Sequence, residues 1–341
     1  MKRNLLALAV GAAIAMPGVA LADAATIYGR MDLSLDRVTI DKDDNSVNED
    51  GSNWEVESHA SRFGVKGDAD LGSGLKAIYR IEWEVDGDGD SERLKQRNRY
   101  VGLTGGFGAV MLGKMDTPMK ASQGKVDQFD NYSADIGRTI NGENREANAF
   151  VAASPKIADM LIFKVALIPG EENDVDSTTD TNVEDGLGDG KSASAVISND
   201  AVYAAFAIDD NVGGWDTYRG VVQFNAGKVK LGAIVTVAEQ DSDNKTDAEE
   251  DEKTALILSI AIPVGQKVTL KGQLGSSKFE NNEDSDLDNE IEQASITLGA
   301  DYNFTKQTKA YAFLDSYAED NDLLDTTATR VTLSVGMQHK F

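Results

Sequence analysis

The chain of 341 residues contains no cysteine, so neither a disulfide framework nor a thiolate metal site exists in it. Histidine is nearly absent as well. His59 and His339 are the only two, and neither sits in a context that pairs it with a nucleophile and an acid, which removes the usual hydrolase arrangements. Basic residues are scarce: 33 Lys and Arg face 58 Asp and Glu, a formal charge of -25. A surface this acidic lacks the basic patches that phosphate backbones require, so nucleic acid is excluded as a partner. No phosphate-binding loop occurs, and the glycine-rich segments read as turns. Beyond the N-terminal segment no apolar run approaches the ~20 residues of a membrane-spanning helix. The longest, Ala255 to Ile262, is the length of a strand.

What is present begins with Met1, Lys2 and Arg3, an apolar run from Leu5 to Val19, and the small-residue site Ala20, Leu21, Ala22. This is the pattern of a secretory signal peptide over residues 1–22, with a cut after Ala24 as the alternative. A retained membrane helix fits less well, because the segment is short and rich in small residues. The exported portion, residues 23–341, would carry a charge of about -27 once Lys2 and Arg3 are lost.

The exported portion is organised by alternation. In Arg330 to Phe341, Val331, Leu333, Val335, Met337, His339 and Phe341 fall on one face and Arg330, Thr332, Ser334, Gly336, Gln338 and Lys340 on the other. Ile27 to Asp36 behaves alike, with Tyr28, Arg30, Asp32, Ser34 and Asp36 on the polar side. Leu75 to Val85 sets Tyr79, Ile81 and Trp83 against Lys76, Arg80, Glu82 and Glu84. Alternation weakens in Arg97 to Thr104 and Ala109 to Lys114, and upstream of Ala60 parity fails, as at a bulge or at the edge of a membrane band. The stretch 115–148 is too polar and unpatterned for a strand. About sixteen strands result, joined at one end by short joints and at the other by long acidic loops such as Glu171 to Asp189, Asp241 to Glu252 and Glu280 to Glu290. A half-buried soluble sheet shows the same alternation, but it has no reason to sort its loops by end. The expected fold is all-β, a 16-stranded antiparallel transmembrane barrel, since only helices and closed barrels satisfy the backbone in lipid.

Particular residues carry a resemblance. Ile27, Tyr28, Gly29 and Arg30, then Ser61 to Gly67 (Ser, Arg, Phe, Gly, Val, Lys, Gly), then Arg99, Tyr100, Val101, Gly102 and Leu103 occur in order. Leu112, Gly113 and Lys114 leading to Asp116, Thr117 and Pro118, then Ser154 and Pro155, and finally Phe341 complete the set. With these the chain resembles the general porins of Gram-negative bacteria over the whole exported length. The 115–148 stretch lacks the Pro-Glu-Phe-Gly-Gly segment of enteric members, so the likeness is to the non-enteric type.

The resemblance implies a homotrimer in the outer membrane, with the third external loop, 115–148, folded inward to narrow the pore. It further implies a constriction with a basic wall of Arg62, Arg97 and Arg99, with Arg30, Lys114 and Arg145 nearby and Glu82 as an acidic neighbour. The loop acids would be Asp116, Asp127, Asp130 and Asp135. Parity independently puts Arg30, Arg62 and Arg80 on the polar face, although a luminal wall needs many polar residues in any case. Expected partners are small hydrophilic solutes and ions, outer-membrane lipid and lipopolysaccharide, and the barrel-assembly machinery through Phe341. No cofactor and no resident metal are expected. Asp86, Asp88, Asp90 and Glu92 could hold Ca or Mg, but the spacing of a calcium loop is incomplete and solvated charge is the plainer reading. The expected function is passive diffusion through a water-filled channel, weakly cation-selective because of the acidic loops. A substrate-specific porin is the alternative, though the inward faces show bases without an aromatic track; a structural or adhesive barrel is the third reading.

Overall fold

The computed structural model describes residues 25–44, 51–89, 94–170, 186–240, 251–280, 290–322 and 326–341. The signal segment with both candidate cleavage sites, most of the three long acidic loops, and Asp90 with Glu92 lie outside the described residues.

Among the described residues, seventeen strands form one sheet. They are β1 (Thr26–Asp44), β2 (Gly51–Ser58), β3 (Arg62–Gly72), β4 (Leu75–Val85), β5 (Leu94–Gly105), β6 (Gly108–Asp116), β7 (Arg145–Ala153), β8 (Leu161–Ile168) and β9 (Gly190–Ser198). The wall continues with β10 (Val202–Asp210), β11 (Trp215–Ala226), β12 (Val229–Gln240), β13 (Glu252–Val264), β14 (Val268–Glu280), β15 (Glu290–Asn303), β16 (Thr308–Asn321) and β17 (Thr326–Lys340). Every neighbour is antiparallel, and β1 pairs with β17 from Arg30↔Lys340 to Asp44↔Thr326, so the sheet closes on itself. Gly29 and Phe341 extend the seam by exchanging two backbone hydrogen bonds of 3.0 Å. β1 also pairs with both β2 and β3, which are therefore two halves of a single stave; the barrel has sixteen.

The break between those halves explains the lost parity upstream of Ala60. Ala60 takes φ 49°, and the Arg30 guanidinium donates to the carbonyls of His59 (2.7 Å) and Ala60 (3.2 Å), which the ladder leaves free. His59 turns inward, 2.6 Å from Ser34 Oγ. Beyond the break the wall resumes its pairing, so the irregularity is a bulge and not the end of the membrane band.

Alternation holds as expected in β1, β4 and β17. Val335 is 59% and Met337 57% exposed, whereas Thr332 and Ser334 are inaccessible. Large apolar side chains are exposed around the circumference, among them Val101, Phe206, Leu298 and Leu314. A water-soluble sandwich would bury that surface between two sheets. On a closed cylinder it is the lipid-facing band.

The strands overrun their expected ends. β1 continues to Asp44, Met115 and Asp116 belong to β6, and Arg145 to Asn148 belong to β7, so the inward loop spans 117–144 and not 115–148. Opposite Gly113 to Met115, β7 carries one residue more, from Ala149 to Glu146, and this bulge cancels the alternation by which the start of β7 would be recognised.

Gly336 on β17 lies under the Tyr311 ring, which occupies the place a Cβ would take, and Leu33 O is 2.7 Å from that place. Gly336→Val should push Tyr311 out of its buried seat and lower barrel stability by about 1–3 kcal/mol, the usual cost of overpacking. Urea unfolding in detergent, followed by gel mobility, measures it; an unchanged midpoint would show that Tyr311 is free to move.

Candidate functional site

The loop between β6 and β7 turns into the lumen. It starts with a single helical turn, Pro118–Ala121, capped by Thr117 Oγ1, which accepts from Lys120 N at 3.1 Å. It later makes a 3-10 turn, Ile136–Arg138, where the Asp135 carboxylate accepts from Gly137 N at 2.8 Å. Between them it crosses to the far wall. Gln128 N donates to Gln273 on β14 (2.9 Å), Lys271 Nζ donates to Gln128 O (2.9 Å), and Arg138 forms a bidentate pair with Asp315 on β16, both arms 2.7 Å.

Two apolar clusters complete the anchorage. Val126, Ile136 and Ile140 pack on Val221, Ile234, Ala255 and Ile257; Phe129, Tyr132 and Ala134 pack on Tyr311 and Phe313. The inward face from β10 to β16 thus departs from polar alternation because the loop, not water, covers it. Inward aromatics exist, and Phe129, Tyr132, Tyr311 and Phe313 pack together to hold the loop.

On the side of β1 and β3 to β5 the lumen keeps an open cavity of about 730 Å³. Arg30, Arg62, Lys66, Arg80 and Arg97 line its wall. Like charges so close repel, and Glu82 holds them together: it accepts from Arg80 at 2.6 Å, Arg97 Nε at 2.9 Å and the Tyr28 hydroxyl at 2.9 Å, with Arg62 3.9 Å away. Arg97 also reaches Glu84 at 2.7 Å. Opposite stand Asp130, Asp135 and Glu143 of the loop, while Asp116 and Arg145 pair at 2.7 Å at its base. Positive charge on one wall facing negative charge on the other sets a transverse field across the opening.

Of the expected residues, Arg30, Arg62, Arg97, Arg145, Glu82, Asp116, Asp130 and Asp135 line this cavity. Arg99 and Lys114 do not. Ile81, Arg99 and Lys114 stand in register on β4, β5 and β6, and cross-strand partners share a face. Ile81 faces lipid, and the Arg99 guanidinium lies 4.9 Å above the outward Trp83 ring. A bulge between Ile81 and Trp83 inserts a residue near Arg97 and sends the two arginines to opposite sides of the wall.

Asp127 is also misplaced by the sequence reading. It turns into the loop, accepting from Phe129 N (2.8 Å) and Ile136 N (3.4 Å). Conversely, Tyr28, Lys66, Arg80, Lys120, Glu143 and Lys340 line the cavity without having been assigned to it. Strand parity marks Tyr28, Lys66, Arg80 and Lys340 as inward; no sequence signal marks Lys120 or Glu143. Among the described residues, Asp127, Asp130 and Asp135 form the one acidic group close enough to share a cation, with ligand atoms within 4.8 Å of one another.

A closed barrel with an apolar outer band, a polar lumen and a loop that narrows without filling it is a transmembrane diffusion channel. The Gram-negative porin family model matches residues 7–322, and the chain belongs to that family, whose seat is the outer membrane. Over 352 residues spanning both chains fully it is 25% identical to the major outer membrane protein P.IB of Neisseria meningitidis serogroup B. The P.IB protein of Neisseria gonorrhoeae is 30% identical over 131 residues, 38% of this chain and 36% of that one. In fold it is similar to the anion-selective porin from Comamonas acidovorans, with a TM-score of 0.67 and 20% identity, over 94% of this chain and 100% of that one. The trimer form of OmpT from Vibrio cholerae gives a TM-score of 0.65 at 15% identity, over 94% and 100%.

Burial first, then the neighbouring Asp135 and Asp130, pushes the Asp127 carboxyl well above the ordinary carboxylate range; burial also raises Asp135. A raised acid holds its proton in the folded loop. Its contribution to loop stability is therefore complete below the ordinary aspartate value and is lost as pH rises through the raised one. Acidifying from about pH 7 towards pH 4 should quieten the open-channel current, and Asp127→Asn should flatten that dependence. Noise spectra of single channels across this range check it; an unchanged slope in the variant would clear Asp127.

Proposed function

We propose that the protein is a trimeric, passive diffusion channel for ions and small hydrophilic solutes, whose constriction selects by size and by charge. The anchored loop facing an arginine wall across an open cavity carries this reading. The loop is tied to the far wall by hydrogen bonds, an ion pair and two apolar clusters, so it narrows the lumen as a fixed element. Among the described residues Tyr28 and Phe341 alone offer rings to this cavity, while Tyr132 and Tyr317 line a second, smaller one of about 460 Å³ beside the loop, so no aromatic row runs along the arginine wall.

The acidic loops favour cations at the mouth, and a weak cation preference follows from composition. The constriction has the opposite sign: eight basic and five acidic side chains line it. Charges act most strongly where an ion passes nearest and screening is least. We therefore assign the channel a net preference for anions, and the charge count supports this independently of the likeness to the Comamonas porin.

For the trimer, the outward Arg99 and Lys114 are informative. A cation facing hydrocarbon costs roughly 2–4 kcal/mol at mid-depth, and a neighbouring subunit over the β4–β6 face would relieve that cost. The trimer form of the Vibrio cholerae protein agrees. Recognition of Phe341 by the assembly machinery, and contact of the acidic loops with lipopolysaccharide through divalent cations, complete the proposed partners.

Purified protein in a planar bilayer under a KCl gradient should open in steps grouped in threes, with an anion-signed zero-current potential. Arg62→Ala should shift that potential towards cations. A cation-signed potential in the native channel would hand control of selectivity to the acidic mouth, and no conductance would favour a structural barrel.

A further inference from the structure

The largest fully buried side chain in the described barrel is a charged one, Arg219 on β11. It lies beneath the constriction loop, away from the open cavity. Its Nη1 donates to Glu143 Oε1 (2.8 Å) and to Met119 O (3.3 Å), and its Nη2 donates to Asn141 O (2.5 Å). Met119 belongs to the outgoing limb of the loop; Asn141 and Glu143 belong to the returning limb. One guanidinium fork thus fastens both limbs to the wall and to each other.

The loop is shaped to this contact. Gly142 takes φ +88°, and a Cβ there would stand 2.7 Å from Met119 Cγ and 3.0 Å from Arg219 Nη2, so the chain closes directly over the guanidinium. Met119 N donates to Ser192 Oγ on β9 at 3.1 Å, seating the outgoing limb on the next stave but one. Beside the clamp, Lys120 Nζ donates to Glu143 O at 2.9 Å, and both residues line the constriction. Arg219 touches no passing solute itself.

We propose that Arg219 is the positioning residue that sets the width of the constriction. Removing its fork would leave the carbonyl of Asn141 unpaired and the Glu143 carboxylate with only Lys120 nearby, 3.7 Å away, while the Met119 carbonyl, still bonded to Ser122 N (3.0 Å) and Ser122 Oγ (2.6 Å), would lose its tie to the wall. The barrel ladder does not pass through these groups. Release is therefore expected in the stem of the loop, where Lys120 and Glu143 swing away from the arginine wall. Lysine would substitute only in part, because a single ammonium keeps the charge but lacks the planar fork that spans both limbs. The inference rests on the channel reading above, and it assigns width to a different residue from those that set charge.

The test uses full-length Arg219→Met and Arg219→Lys, reconstituted beside the native protein. Step conductance, the size limit for neutral sugars entering liposomes, and zero-current potential are read together with gel mobility after heating. For Arg219→Met the step conductance should rise roughly twofold and the sugar limit should rise with it, since a narrowing element is released. The zero-current potential should keep its sign, because Arg62 and Arg97 are untouched, and barrel melting should be unchanged. Arg219→Lys should fall between, and it carries the test if the methionine variant does not assemble. Native conductance and sugar limit in the variants, whether or not melting falls, would overturn the proposal. A native protein without conductance would defeat the channel reading itself, a separate outcome.

Discussion

The hydrogen bonds that close β1 onto β17 are the condition on which everything else rests. In hydrocarbon an unpaired backbone amide or carbonyl costs several kcal/mol, so a sheet with a free edge cannot remain there. The pairing from Arg30↔Lys340 to Asp44↔Thr326 removes the last edges. Once the cylinder is closed, each strand has one dry and one wet side, and strict alternation follows. Where the ladder is interrupted, at His59 to Ser61, side chains take over: Arg30 satisfies two carbonyls, and Ser61 Oγ accepts from Asp32 N at 3.0 Å.

Closure leaves a lumen whose two halves have different tasks. From β10 to β16 the inward face is a seat for the loop, with apolar and aromatic residues where water would otherwise call for polar ones. From β1 to β5 it is the charged wall of the opening, packed around Glu82. The loop joins these halves: its apolar side faces the seat, and its acids Asp130 and Asp135 face the wall. The field across the opening therefore depends on packing some distance from any charge.

Much of this was legible in the sequence, for a physical reason. Alternation in β1, β3, β4 and β17 is imposed by two solvents, so Arg30, Arg62, Arg80 and Glu82 could be assigned to the inner face from parity alone. Arg99 and Lys114 share strand parity with the exposed Val101 and Leu112, but the extra residue that β5 carries near Arg97 separates Arg97 from Arg99 and leaves no mark in composition. Asp127 looked like its neighbours Asp130 and Asp135; only the folded loop shows that its oxygens are taken by Phe129 N and Ile136 N. Arg219 and Glu143 lie 76 positions apart, and nothing local announces that they meet. Inward apolar residues such as Val221 and Ile257 read as breaks in the pattern until the loop that covers them is placed.

The same seam has a bearing on biogenesis. Arg30 must wait for Lys340, so both free edges persist until β17 has been made. A contact this distant in sequence forms late and slowly, because a long loop must close before any bond rewards it. Throughout that interval the chain carries two open strand edges and a row of unburied apolar side chains, the features that drive aggregation in water. The geometry that makes the finished cylinder stable in lipid makes its precursor hazardous in transit, and an escort that masks strand edges is what such a precursor demands.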